Sequence, residues 1–265
     1  MKKFMTKFIS LTLTAVLILA AAGCSSKDQG SPSGDGTGET VNESSEEGKI
    51  INVGVTDSLG GLNPFVIDQT EINKYAVGLM FLPLMELDKD MNFQGMLADS
   101  ITTEDNMNFV VHIDEKATWS DGTPVTAEDV EYTVRRLASP VVNNTTLMLY
   151  AFEGTSEEGF VEEGAESMAG VQVIDEKTVQ FTSKYPMALT TFENTYARYI
   201  HTLPKKVLEQ LSEEELLTSD WFNKPDVVSG PFFVTDFDND HYISYEANAD
   251  YWKGAPKIDK LNIRI

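Results

Sequence analysis

The chain has 265 residues, with 20 Lys and Arg against 42 Asp and Glu, for a formal net charge of −22. That acidity excludes a nucleic-acid partner, whose phosphates require Lys and Arg, and works against passive adhesion to anionic lipid; its plainest role is solubility. The single Cys excludes an internal disulfide, so a hydrophobic core must hold the fold, and the chain is long enough to bury one.

Lys2, Lys3 and Lys7 form a positive n-region, and Phe8 to Ala22 an apolar h-region shorter than a membrane span requires. It ends in Ala21-Ala22-Gly23-Cys24, which resembles a lipobox, although the commonest residue at the Ala21 position is Leu. Residues 1–23 are therefore read as a lipoprotein signal peptide and Cys24 as the lipid attachment site. The expected location is extracytoplasmic, lipid-anchored to the outer face of the cell membrane, which is the periplasmic side in a Gram-negative cell. Removal of the signal would leave a charge of about −25. Residues 24–49 are Ser, Gly, Asp and Glu with little that is apolar, and read as a disordered acidic tether with an r.m.s. reach of about 28 Å. Gly34-Asp35-Gly36-Thr37-Gly38 lies inside it without the strand and helix that a phosphate loop needs.

Ile50 to Thr56 reads as a strand with Ile51, Val53 and Val55 on one face, followed by a Gly-rich turn at Asp57 to Pro64. The spacing of Ile72, Ala76, Leu79 and Met80 predicts a helix over Glu71 to Phe81, ended by Pro83. Phe109 to Ile113 alternates as a strand. Thr126 caps a helix whose first turn holds Glu128 and Asp129, and Pro140 ends it. Val171 to Phe181 reads as a hairpin turning at Asp175 to Lys177. Pro204 opens a helix to Leu211, Ser212 to Glu215 forms a capping box for another, and Phe232 to Val234 with Ile243 to Tyr245 forms a late hairpin. Mixed strands and helices place the chain in the α/β class, with α+β the alternative.

Reactive motifs are scarce. His112, His201 and His241 are far apart, with no H-E-x-x-H pair and no G-x-S-x-G elbow. His112 sits in a strand and reads as structural; His201 is expected at the surface, with a cleft-facing position as the alternative. Asp236, Asp238 and Asp240 have calcium-loop spacing, but His241 and Ala247 stand where the loop needs Gly and Glu, so a polar hairpin tip is expected. Tyr150, Tyr196, Tyr199, Trp221, Tyr251 and Trp252 are the aromatic candidates for either core or binding.

Phe109-Val110-Val111-His112-Ile113 and then Ala117-Thr118-Trp119-Ser120-Asp121-Gly122-Thr123-Pro124-Val125-Thr126-Ala127-Glu128-Asp129-Val130 closely resemble the signature of family 5 solute-binding proteins, the oligopeptide, dipeptide and nickel receptors of ABC importers. Leu62-Asn63-Pro64, Leu82-Pro83-Leu84, Leu97-Ala98-Asp99-Ser100, Ser229-Gly230-Pro231-Phe232 and Asn248-Ala249-Asp250-Tyr251-Trp252-Lys253-Gly254 follow in the family's order. The resemblance implies a two-lobed periplasmic-binding-protein fold of type II-like architecture, of which residues 50–265 would be an incomplete first lobe. That lobe would hold a mixed sheet with flanking helices and an inserted subdomain over roughly 81–204. It implies a non-enzymatic, lipid-anchored binding component that delivers short peptides to ABC permease subunits, with nickel chelates, sugars and haem as other family ligands. No cofactor and no metal site is implied by the residues, and a monomer is expected. First-lobe ligand contacts carry over to Asp68, Gln69 and Thr70 and to the stretch from Thr146 to Tyr150. A lobe of this extent alone is expected to bind peptide weakly or not at all. A peptide-signal sensor at the cell surface, a non-binding fragment and a secreted hydrolase are the alternatives.

Overall fold

The computed structural model describes residues 48–68, 70–239 and 241–265; the segment read as a signal peptide, Cys24, the segment read as a tether up to residue 47, Gln69 and Asp240 lie outside the described residues. Lys49, the last residue read as tether, is hydrogen-bonded: its N–H donates to Asp259 Oδ2 at 2.6 Å and its carbonyl accepts from Asp259 and Lys260. The first strand, β1 (Ile50–Gly54), follows.

Helix α1 (Glu71–Gly78) starts at Thr70, whose Oγ1 accepts from the Asn73 N–H at 3.3 Å. It stops at Gly78, three residues short of the expected end, because Gly is a poor helix former and Leu82-Pro83 lies just ahead. Two three-residue strands, β2 (Met85–Leu87) and β3 (Phe93–Gly95), make an unanticipated ribbon. Strands β4 (Ala98–Thr102) and β5 (Asn108–Ile113) precede α2 (Ala127–Leu137). The Thr126 cap is a full capping box: Thr126 Oγ1 accepts from the Asp129 N–H at 3.4 Å, and Asp129 Oδ2 accepts from the Thr126 N–H at 2.8 Å.

Strands β6 (Val171–Asp175) and β7 (Thr178–Thr182) form the expected hairpin, its turn stapled by Asp175 Oδ1 accepting from the Lys177 N–H. After α3 (Leu189–Phe192), α4 spans only Lys205–Leu208, with Pro204 at the cap position instead of the first helical residue. Its last turn closes as the Leu211 N–H bonds to Leu208, so the expected longer helix does not form. In α5 (Glu213–Thr218), Ser212 and Glu215 complete the capping box. Strands β8 (Phe232–Asp238), β9 (Tyr242–Ala247) and β10 (Lys260–Arg264) end the described chain.

The strands assort into two four-stranded sheets. One has the order β1-β10-β9-β8, antiparallel except for β1 and β10, which run parallel with Ile50 opposite Lys260 and Gly54 opposite Arg264. The other has the order β4-β5-β7-β6, antiparallel throughout, with α2 packed on β6 and β7. Alternating residues Phe109, Val111, Val179 and Phe181 point into the core of this second sheet. There Phe109 stacks on Phe192 at 4.5 Å, and Phe152 meets Phe181 and Tyr196. His112 is structural as expected, its Nδ1 lying 3.1 Å from the Thr178 hydroxyl across the ladder.

Of the face expected to be apolar on β1, Ile51 and Val53 are 45 and 40% exposed, whereas Val55 just beyond the strand packs against the hydrophobic core. Among the described residues β1 borders only β10, so it is an edge strand.

The recurring sequence motifs join the two sheets. Asp121 Oδ1 accepts from the Thr123 N–H and hydroxyl, tightening the turn that Gly122 makes at φ +82°. The Ser120 N–H donates to Val228 O, and the Val228 N–H returns to Ser120 Oγ, fixing the segment ahead of Gly230. At Gly230 the chain runs so close to α1's end that an added Cβ would stand 2.3 Å from the Leu79 carbonyl oxygen. The Gly230 N–H bonds Met80 O at 2.7 Å, and Asn248 Nδ2 donates to Gly230 O.

Candidate functional site: an apolar cavity above a buried ion cluster

Between β1, α1 and β10 lies a cavity of about 460 Å³, walled mainly by aliphatic and aromatic side chains. Three periodicities build it. Val53 and Val55 alternate along β1 and its extension, and Leu261 and Ile263 alternate along β10. Ile72, Tyr75 and Leu79 share a stripe of α1, while Ala76 and Val77 turn to the core. The apolar face expected of β1 therefore walls the cavity through Val53 and Val55.

The polar part of the lining is Lys74, Glu86 and His201. Lys74 is 2% exposed, with Nζ 3.2 Å from Glu71 Oε2 and 3.1 Å from Glu86 Oε2. Glu86 Oε1 also receives Arg198 Nε at 2.7 Å. Lys74 Nζ lies over the rings of Tyr75 and Tyr199, at 4.7 and 5.4 Å from their centroids. Two cations thus meet two carboxylates, and the cluster is neutral as a whole. Burial raises the Glu86 carboxyl, but hydrogen bonds from the Leu87 N–H, Arg198 and Lys74 outweigh it and hold it below the ordinary range. Arg198 is held above its usual value: burial opposes this, but the Glu86 carboxylate prevails.

His201 is 3% exposed, which overturns its expected surface position: the backbone before α4 bridges to Pro83 and draws the ring inward. Its Nδ1 lies 2.8 Å from the Phe81 carbonyl oxygen. Burial pushes the imidazole down to about 4, the Phe81 carbonyl pulling upward and the Lys74 ammonium adding to the depression.

The residues expected to touch ligand lie elsewhere. Asp68 and Thr70 are exposed at the head of α1, where the Asp68 carbonyl accepts from Asn73 Nδ2 and Thr70 is the cap. Thr146 is exposed and bonded to Asn144 Oδ1 through its N–H and hydroxyl. Tyr150 is 44% exposed on a short 3-10 turn at 149–151. Asn144 Nδ2 donates to Phe65 O at 3.1 Å and so ties the two segments together, but none of the four lines the cavity. Of the aromatic candidates, Tyr251 lines the cavity and Tyr196 is core. Lys74, Glu86, Arg198 and His201 carry no local signature beyond the Glu71–Lys74 spacing. Among the described residues no group of three or more His, Cys, Asp or Glu side chains is placed to hold a metal ion.

Comparison with known proteins agrees with this architecture. A protein of Brucella ovis, whose name places it with ABC transporter peptide-binding proteins, is 30% identical over 183 residues, 68% of this chain and 31% of the relative. The dipeptide-binding protein DppE of Bacillus subtilis is 25% identical over 98% of this chain and 46% of its own length. The oligopeptide-binding protein AppA of the same organism is 25% identical over 100% and 45%. The chain thus spans between about a third and a half of the length of these curated relatives. Among solved structures, Bacillus subtilis AppA in complex with a nonapeptide superposes with a TM-score of 0.68 at 22% identity, covering 82% of this chain and 40% of that one. Listeria monocytogenes OppA bound to peptide gives 0.68 at 21%, covering 83% and 43%. The mixed α/β fold is therefore that of part of an OppA-type periplasmic binding protein. Residues 92–265 match the family model described as bacterial extracellular solute-binding proteins, family 5 Middle, and the chain belongs to that family.

Proposed function

We propose that this chain is the lipid-anchored first lobe of the substrate-binding component of an ABC importer that takes up short peptides. The observation that carries the reading is the cavity of about 460 Å³ between β1, α1 and β10, apolar in its walls and charge-neutral at its floor. Such a surface favours a neutral backbone with apolar side chains over a free ion. In this reading the antiparallel sheet within residues 98–182 belongs to the inserted subdomain. Asp68, Gln69, Thr70, Thr146 and Tyr150 touch other parts of the ligand, outside the cavity, and a second lobe closes over it by hinge motion. Cys24 carries the lipid, and residues 24–49 let the lobe reorient beside its permease.

The test is genetic. Deleting the gene should lower uptake of radiolabelled di- to pentapeptides and leave nickel and sugar uptake unchanged; unchanged peptide uptake refutes the reading. Replacing Cys24 with Ser should abolish fatty-acid labelling and release the protein into the medium. Retention of label by the Cys24→Ser protein refutes the anchor.

A further inference from the structure

The segment that carries Asp68 and Thr70 and the segment that carries Thr146 and Tyr150 are rooted on one helix. Ahead of the first, Asn63 Nδ2 donates to the Leu216 carbonyl of α5 at 2.8 Å. Ahead of the second, Ser139 Oγ donates to Glu213 Oε2 of the same helix, and the Asn143 N–H donates to Ser139 O at 2.9 Å. Beyond these roots, among the described residues, one hydrogen bond joins residues 65–70 to residues 144–150: Asn144 Nδ2 donates to the Phe65 carbonyl oxygen at 3.1 Å. Asn144 Oδ1 accepts from the Thr146 N–H at 3.2 Å, the Thr146 hydroxyl at 3.0 Å and the Leu147 N–H at 3.1 Å. Chemistry fixes the orientation of this amide, because a carbonyl oxygen only accepts and a backbone N–H only donates. It also fixes the residue type: an aspartate of the same shape keeps the acceptor and loses the donor. Phe65 and Leu147, the two residues bonded from either side, are buried, whereas their neighbours Val66 and Met148 are 48 and 57% exposed. The tie thus joins the two segments where the interior gives way to the surface.

We propose that Asn144 is a positioning residue for peptide binding: its carboxamide sets the spacing between the 65–70 and 144–150 segments and so presents both to one ligand as a single surface. Asn144 acts through these segments and need not touch the ligand itself. A spacing fixed before the ligand arrives spares the cost of ordering two loops on binding. Loss of the tie should therefore weaken binding and leave the later steps of uptake alone. The inference rests on the solute-binding reading and on its placing of ligand contacts at Asp68, Gln69, Thr70, Thr146 and Tyr150. It goes further in naming the group that holds those contacts in register.

The test replaces the codon in the chromosome, so that the protein is assayed as the cell makes it. Asn144→Asp keeps the acceptor for Thr146 and Leu147 but sets a carboxylate against the Phe65 carbonyl. For the radiolabelled di- to pentapeptides whose uptake gene deletion lowers, the variant should raise the KM of uptake about tenfold. Vmax and the amount of protein at the surface, read by immunoblot, should stay unchanged. A merely structural role would lower Vmax together with the amount of protein and leave KM alone. In the amide spectrum of the purified 24–265 chain, Val66 and Ile67 should shift, whereas Val111 and Val179 in the antiparallel sheet should not. An unchanged KM, or amides of Val66 and Ile67 that stay in place, overturns the proposal. Should Asn144→Asp fail to fold, Asn144→Ser breaks the same bond without adding a charge and is held to the same rise in KM. Failure of both variants to fold also overturns the proposal, since the bond is then structural. If peptide uptake depends on the gene but its KM does not depend on residue 144, only the positioning role falls. If uptake does not depend on the gene, the importer reading falls and the positioning role falls with it.

Discussion

Asp129 and His201 are both buried ionisable groups, and they are held by opposite means. Asp129 is surrounded by donors: Oδ2 accepts from the Thr126 N–H at 2.8 Å, the Thr126 hydroxyl at 3.0 Å and Trp119 Nε1 at 3.3 Å, and Oδ1 from the Lys205 N–H at 2.9 Å. Burial still raises its carboxyl above the ordinary range despite those bonds. Asp129→Ala strands four donors at once and should cost roughly 3 kcal/mol, read as a lowered midpoint in urea unfolding. His201 has one partner and stays neutral. Its folded pKa of about 4 lies below the ordinary imidazole value of 6.5, so between those values the unfolded chain binds more protons than the folded one. Stability from this group is fully present above pH 6.5 and is lost as pH falls toward 4, by roughly 3 kcal/mol in all. His201→Phe should flatten that stretch of the stability-versus-pH curve, measured by denaturant titration at several pH values; an unchanged slope contradicts a buried neutral ring.

At the scale of elements, closeness of approach sets the tolerances. Gly230→Ala would drive a methyl group into the Leu79 carbonyl, with backbone on both sides of the contact, and should cost about 2–4 kcal/mol in the same unfolding assay. Gly122→Ala, at a positive φ in open space, should cost only about 1 kcal/mol. Elements fixed by neighbours in sequence were legible in advance. The Thr126 cap and the Ser212–Glu215 box are written within four residues, and the turn at Asp175–Lys177 sits between two alternating runs. Elements fixed by distant partners were not. Strands β2 and β3 are too short to show a period, and α4 stops early. The apolar face of β1 was legible as a face, but whether it met core or cavity depended on β10, more than two hundred residues away.

For the whole molecule, the family was legible because its motifs are turns and caps, whereas the cavity was not. Lys74, Glu86, Arg198 and His201 come from three separated stretches, and only folding makes them neighbours. A cavity open to solvent and walled by one lobe excludes water poorly. Short peptides should therefore bind the 24–265 chain with a Kd no tighter than about 1 mM. Calorimetry with a mixed di- to pentapeptide set checks this, and micromolar affinity would show that a single lobe suffices. Breaking the neutral cluster should matter more to folding than to binding: Glu86→Gln leaves two buried cations facing one partly exposed carboxylate and should lower stability by about 3 kcal/mol in thermal melts.

The parallel register of β1 and β10 has a mechanical consequence. A pull applied ahead of Ile50 and another beyond Arg264 act along the two strands in opposite senses, so every rung from Ile50–Lys260 to Gly54–Arg264 is loaded together in shear. An antiparallel pair joined by the same ends would open like a zipper, one rung at a time. For a domain whose upstream segment is read as a membrane tether, tension would meet this clamp first, and the rate of forced unfolding would be set by simultaneous rupture of the whole ladder.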